Sequence, residues 1–315
     1  MFGRGGSWAG RHNPARRRSR GLNPGGRGPS RRGAPRRSSS PAPRAGGVIG
    51  PLTGLPLMES TMLGALVVDL AINWTGWAFA SALKTEKFYD LLGSVSFVTL
   101  AVGSLCNADT YLPRQVAATC MVGCWALRLG SYLVRRIARD GKDKRFDGVR
   151  EDPKRFFVFW TLQAVWAFVV SLPVLLINGT GSQAALGAAD AVAITVWALG
   201  FGIEAVADFQ KDQWRKRPEN AGRFIDEGLW SVSRHPNYMG EIMCWLGMWG
   251  LSLSAVSSVG LGAAAAASPA ITALLLLKVS GVPLLEKAAD KKWGSEPAYQ
   301  AYKRKTREVL LLPKF

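Results

Sequence analysis

Seven stretches of the chain are apolar for long enough to cross a bilayer, and charged or glycine-rich segments separate them. They cover roughly 60–83, 88–105, 115–134, 156–177, 188–208, 236–254 and 261–277, lengths that predict membrane helices. The few polar residues inside these runs are the informative ones. Asp69 and Asn73 lie in the first, Arg128 in the third, and Glu204 and Asp208, four apart and so on one helical face, in the fifth. A carboxylate within a span is costly unless it faces protein or water, so Asp69 is either a functional group or part of an interhelical hydrogen bond. Arg128 either snorkels towards the basic end of its helix or pairs with a buried acid. Gly93, Ser94, Ser96 and Ser104 are small residues that let membrane helices approach closely. The pattern predicts an all-α fold, a polytopic membrane bundle of about seven transmembrane helices.

Beyond the fifth run, residues 209–218 read as a helical extension into water that stops at Pro218. Asp208, Lys211 and Arg215 recur at helical steps along it, as a salt-bridge ladder or as a clamp for an anionic ligand. Next comes a basic, glycine-containing loop and a helix opened by Pro236, where a missing N–H is harmless. Asn237, Tyr238 and Glu241 share one face of its first turns. Taken alone, this stretch is an interfacial helix start capped by His235 or Asn237, or a polar site at the membrane boundary. Residues 287–315 form a basic amphipathic tail with Tyr299, Tyr302 and Arg307.

Composition sharpens the picture. A hydrophobic fraction of 48% and twelve Trp fit a membrane protein better than a soluble one of this length. Twelve of the eighteen net positive charges are Arg in residues 1–58, which hold no acid. The basicity therefore belongs to a leader, not to a nucleic-acid groove. That leader is too polar to bury a core and is expected to be disordered. Being rich in Arg and Ser, it resembles an organellar transit peptide, with a solvated tail or an RNA-binding arm as the alternatives. Residues 59–315 make up the membrane domain. Loops 135–155 and 209–235 and the tail are basic while 178–187 is uncharged, so the basic loops are expected to face the cytosol. Seven spans then place the N-terminus opposite, against its own arginines, which favours a leader handled during targeting or one span fewer. The membrane is that of the endoplasmic reticulum or of a plastid or mitochondrion. Four Cys and two His supply no metal motif, and Cys120 and Cys124 read as packing residues. Asn178-Gly179-Thr180 is a glycosylation sequon that matters only if its loop is lumenal.

Gly228-Leu229-Trp230 followed by Arg234-His235-Pro236-Asn237-Tyr238-x-Gly240-Glu241 resembles the C-terminal domain of the steroid 5α-reductase-like superfamily. That superfamily includes sterol C14-type reductases and, more distantly, isoprenylcysteine methyltransferases. The likeness extends to Lys87-Phe88-Tyr89-Asp90-Leu91, Trp125-Ala126-x-Arg128-Leu129, Arg139-Asp140-Gly141-Lys142-Asp143-x-Arg145-Phe146, Asp208-x-Gln210-Lys211 and Gly281-x-Pro283-Leu284-Leu285-Glu286. It implies a seven-helix bundle with NADPH in a cytosol-facing cavity, 204–315 being the cofactor-binding part. The positions that match the superfamily's cofactor contacts are Asp208, Arg215 and Asn237, with His235 and Tyr238 beside them. Glu204 stands where the steroid enzymes tend to have Asn. On physical grounds Lys211, Arg215 and Arg307 are charge-assisted partners for phosphates. Tyr238 and Glu241 are the catalytic candidates, able to donate to the oxygen of a conjugated carbonyl as hydride arrives. The expected substrate is a lipid-like enone delivered by the membrane lipids. Two alternatives stay open: a methyltransferase using S-adenosylmethionine, and a non-catalytic lipid-binding protein.

Overall fold

Every long apolar run folds as a helix. The computed structural model describes residues 56–310; residues 1–55 and 311–315, and with them nearly all of the leader, lie outside the described residues. The helices are α1 Leu57–Leu83, α2 Tyr89–Ala108, α3 Pro113–Asp140, α4 Pro153–Asn178, α5 Ala188–Lys216, α6 Pro236–Leu253, α7 Val259–Ala265, α8 Ala267–Leu274, α9 Val282–Trp293 and α10 Pro297–Lys305. Pro113, Pro153, Pro236 and Pro297 each stand first in their helix, where φ is already suitable and no N–H is missed. Among the described residues there is no strand, only one isolated parallel bridge between Ser233 and Arg307.

Six helical stretches are long and apolar enough to cross a membrane: α1 to α5 and the continuous stretch Val259–Trp293. The chain is thus a multi-pass integral membrane protein. The expected seventh span is α6, an 18-residue helix packed among the others. Its first two turns carry Asn237, Tyr238 and Glu241, so it lacks the apolar length of its neighbours. The last span is a composite: α7, α8, a π-helical turn Leu275–Val279, then α9 after Ser280 and Gly281.

The faces are inverted relative to a soluble protein. α1 buries Ser60, Thr61, Asp69, Asn73 and Gly76 while exposing Leu63, Val67 and Phe79, because lipid is the outer solvent. The Asn73 amide donates to Asp69 Oδ1 (2.8 Å) and Ser96 Oγ (3.1 Å), and Gln163 Nε2 donates to Asn73 Oδ1 (3.0 Å). α1, α2 and α4 are therefore joined by one buried polar chain, the hydrogen-bonding reading of Asp69. Asn178 is fully buried, its amide donating to Ser104 Oγ (2.8 Å) and Ala101 O (3.1 Å), so the sequon nitrogen is engaged in packing. At that same end Arg114 holds Asp190 with two 2.8 Å bonds and also reaches Gln183 (3.0 Å). At the basic end, Glu86 accepts from Asp143 N (2.9 Å) and pairs with Arg150 (2.6 Å). Asp90 and Asp143 there share Arg136 and Arg145. Burial alone would raise the Asp143 carboxyl, but hydrogen bonds from Arg145 and the charges of Arg145 and Arg136 hold it below its ordinary value. Those bonds pin loop 141–152 against the start of α2.

α5 and α6 pack at near backbone contact. A Cβ on Gly240 would stand 2.5 Å from the Gly200 carbonyl oxygen and 2.7 Å from Glu204 N, and no side chain fits there. One heptad on, Gly247 meets Ala193 and Trp197 in the same way. On its other side α6 is held by aromatics: Trp245 lies edge-on to Trp125 (4.8 Å), and Phe97 meets Trp125 and Trp166 (5.0 Å each). Gly240→Leu should accordingly abolish the monodisperse folded species in detergent on size-exclusion chromatography. Gly202→Leu, on the same α5 but with open space beside it, should leave that species intact.

Candidate functional site

The loop between α5 and α6 is clasped to α5 by the motif residues themselves. Gly228, with φ of 59°, lies so close to Gln210 that a Cβ would approach its side chain to 2.6 Å. Gln210 Oε1 accepts from Leu229 N (2.9 Å), and Trp230 Nε1 donates to Ala207 O (3.0 Å). Lys211 then stands 4.1 Å above the Trp230 ring as a cation–π pair. Tyr302 of α10 closes the clasp by donating to Trp230 O (2.6 Å). Burial pushes the Tyr302 hydroxyl above its usual range, so it stays a donor.

The segment before α6 is tied to the tail. Arg234 N donates to Arg307 O (3.0 Å), His235 N to Glu308 O (2.8 Å), and Ser233 Oγ to Val309 O (3.0 Å). Glu286 of α9 accepts from Arg234 Nε (2.9 Å) and lies 2.9 Å from His235 Nε2. Lys303 of α10 is 3.3 Å from the other Glu286 oxygen. The His235 ring, fixed in this way, stacks on Tyr238 at 5.5 Å and 13°.

Deeper in the bundle, the Arg128 guanidinium bridges two acids of α5. It bonds Glu204 directly and Asp208 at 2.7 Å, and stands 6.0 Å from the Phe201 ring. Asn237 Nδ2 donates to the other Asp208 oxygen (3.2 Å). Two acids thus share one guanidinium. Several of their neighbours' polar atoms stay unpartnered and buried: Arg128 Nε, Glu204 Oε2 and Asn237 Oδ1. That is an unusual concentration of unspent hydrogen-bonding capacity.

Cavities open on either side. The first, about 490 Å³, lies at the basic end and is lined by Lys211, Arg215, Arg223, Arg234, His235 and Lys292, with one acid, Glu286. Its walls are aromatic: Trp214, Phe224, Trp230, Trp293, Tyr299 and Tyr302. The second, about 590 Å³, lies inside the bundle among Phe97, Leu129, Leu133, Leu162, Trp166 and Leu275. Gln163, Glu241 and Thr272 are polar residues in its wall, and Asp90, Arg136 and Arg145 also line it. A third, about 450 Å³, lies between α3 and α5 and contains Arg128, Asp208, Arg135, Arg139 and Lys216.

The sequence candidates are therefore distributed. Lys211, Arg215 and His235 share the basic cavity, Asp208 and Asn237 touch each other beside Arg128, and Glu241 lines the apolar cavity. Tyr238 links them through its stack on His235, and the Arg307 backbone pairs with Arg234 at the edge of the basic cavity. The expected ladder of Asp208, Lys211 and Arg215 dissolves: Asp208 is engaged by Arg128 and Asn237, and Lys211 by Trp230. Of the two readings of Arg128, pairing with buried acids holds. Arg234, Glu286 and Gln163 were not among the candidates. Glu286 ends the Pro283-Leu284-Leu285-Glu286 motif, but its contact with His235 spans 51 residues and leaves no local signal. Among the described residues no cluster of metal ligands occurs, and all four cysteines are free.

Removing one partner from a buried ion network strands the others. Arg128→Met should destabilise the protein by about 3–5 kcal/mol, seen as a lowered thermal midpoint in detergent. Adding Glu204→Gln and Asp208→Asn should recover most of that loss; additive losses would show that the three residues do not act as one unit.

No curated protein and no solved structure matches the chain. Residues 76–306 match the family described as "Protein of unknown function (DUF1295)", a segment that starts within α1 and takes in every residue lining the three cavities. With that match covering well over half of its length, the chain belongs to the DUF1295 family.

Proposed function

We propose that the protein is a membrane-embedded, NADPH-dependent reductase of a conjugated carbon–carbon double bond in a sterol-like or other lipid, akin to the steroid 5α-reductase-like enzymes. One observation carries the reading. The first two turns of α6, from His235 to Glu241, rise on the order of 9 Å between a basic, aromatic-walled cavity and an apolar one. A phosphorylated, ring-bearing cofactor suits the first and a lipid suits the second.

The residues fit that cofactor. Lys211, Arg215 and Arg223 offer charge-assisted bonds to phosphates, and Arg307 lies at the same edge. Trp214, Trp230 and Trp293 offer faces for an adenine ring. Asn237 Oδ1, buried and unpartnered, is an acceptor awaiting an amide N–H. When bound, NADPH supplies the hydride. The chain's part is to position and to protonate. Glu241 in the wall of the apolar cavity, and Tyr238 one turn before it, are the groups able to donate to a carbonyl oxygen as negative charge grows there. Phe97, Leu129 and Trp166 give that oxygen apolar walls on the bundle side. Arg128 holds Asp208, which in turn holds Asn237, so the cofactor-facing groups arrive preorganised.

S-adenosylmethionine carries no phosphate, and five cations around one cavity are poorly matched to it. Purified full-length protein should be stabilised against heat by NADPH and not by S-adenosylmethionine, and should oxidise NADPH with members of a panel of lipid enones. Asn237→Ala should weaken NADPH binding by about tenfold, the loss expected when a hydrogen-bonded group is removed from a desolvated site. Stabilisation by S-adenosylmethionine instead would favour methyl transfer, and stabilisation by neither would leave a lipid-binding protein.

A further inference from the structure

The buried polar chain that joins α1, α2 and α4 has a direction, and its free end opens into the apolar cavity. The Asn73 amide nitrogen donates to Asp69 (2.8 Å to Oδ1) and to Ser96 (3.1 Å), which leaves Asn73 Oδ1 as an acceptor. Gln163 Nε2 meets that acceptor at 3.0 Å and the Tyr89 carbonyl at 3.1 Å. A backbone carbonyl only accepts, so the Gln163 amide cannot be turned round. Both of its protons are used. What remains is Oε1, which accepts no bond from any group in the described residues, on a side chain only 6% exposed. Gly93 leaves it uncovered: a Cβ there would press on Oε1 at 3.1 Å, and Gly93 lines the same cavity.

Thr272 of α8 lines the same cavity. It is 3% exposed and its hydroxyl bonds to nothing. α8 is fixed on α4 one turn away, where Ser268 Oγ donates to Val170 O (2.7 Å). An oxygen that can only accept faces this largely apolar space, and a buried, unpartnered hydroxyl lies in its wall. Leaving such groups unpaired is costly, and a ligand that pairs them is favoured over one that cannot.

We infer that Gln163, aided by Thr272, forms a hydroxyl-binding subsite, and that the cavity takes an apolar molecule bearing an alcohol. This rests on the reading of the cavity as the lipid site and adds a requirement to it: the lipid must donate a hydrogen bond at Gln163. A ketone or an ether at that position brings a second acceptor against Oε1 and is rejected. Asp69 thereby acquires a role without touching the ligand, because it sets the direction of the chain that ends at Gln163.

The test uses matched lipids that differ at one oxygen, with purified full-length protein in detergent and no NADPH. Binding of tritiated cholesterol and its methyl ether, and of farnesol and its methyl ether, is measured by scintillation proximity. In at least one pair the alcohol is expected to bind about tenfold tighter than the ether, the ratio that ~1.4 kcal/mol produces. Thr272→Val, which breaks no existing bond, should reduce that ratio, and Gln163→Leu should bring it close to one while the ether still binds. Equal affinity for alcohol and ether in both pairs overturns the inference, as does failure of both alcohols to bind or a ratio unchanged in both variants. A protein that prefers the alcohol yet oxidises no NADPH keeps this subsite and loses the reductase reading. One that reduces enones but treats alcohol and ether alike keeps the reductase reading and loses the subsite.

Discussion

Arg128 and the two acids it bridges are the constraint around which the rest of the bundle is arranged. A guanidinium and carboxylates away from water are tolerable only if each finds the others, and three helices must hold station for that to happen. α3 brings Arg128, α5 brings Glu204 and Asp208, and α6 brings Asn237 to the remaining Asp208 oxygen. The close approach of α5 and α6 at Gly200 and Gly240 follows from this: a wider spacing would lift Asn237 away from Asp208. So does the aromatic packing of Trp125 and Trp245, which lies one turn from Arg128 on α3 and one turn from Glu241 on α6. The charged group and the hydrophobic group fix the same pair of helices from two levels.

Around this centre the structure separates two kinds of cavity. Outside the bilayer, short-range clasps dominate: Gln210 to Leu229, Trp230 to Ala207, and the tail to residues 233–235. They shape a basic cavity from pieces far apart in the chain. Among the spans, a few polar groups stand in apolar walls, where each unpaired group counts for more than it would in water. Glu241 and Gln163 carry such groups, one on α6 and one on α4.

Much of the fold was legible in the sequence because lipid imposes a simple pattern. α1 to α5 follow the apolar runs, and the outward residues such as Leu63 and Phe79 are the apolar ones. α6 was legible as a helix but less so as a span, since Asn237 and Glu241 reduce its apolar length. The π-helical turn at Leu275–Val279 was not legible at all: a change in backbone hydrogen-bond register leaves hydropathy unchanged. The site was half legible. The motif match brought Asp208 and Asn237 forward, and they do touch, but spacing misled for Lys211, whose partner is a ring nineteen residues on rather than an acid one turn back. Arg234 with Glu286, and Gln163 with Asn73, are contacts between segments far apart in the chain, and no local pattern announces them.

The apolar cavity is walled by helices that cross the membrane, and part of its wall is the π-helical turn, where Val279 and the preceding Leu274 are exposed on the outer face. If the cavity takes a lipid, as proposed, that lipid is drawn from the bilayer, and its effective concentration is a mole fraction among lipids rather than a molarity in water. Occupancy then tracks membrane composition: thinning the same amount of ligand into more lipid empties the cavity even when the aqueous volume is unchanged. Saturation measured in micelles will shift with the amount of detergent for the same reason, and only two-dimensional dilution gives the cavity's own affinity.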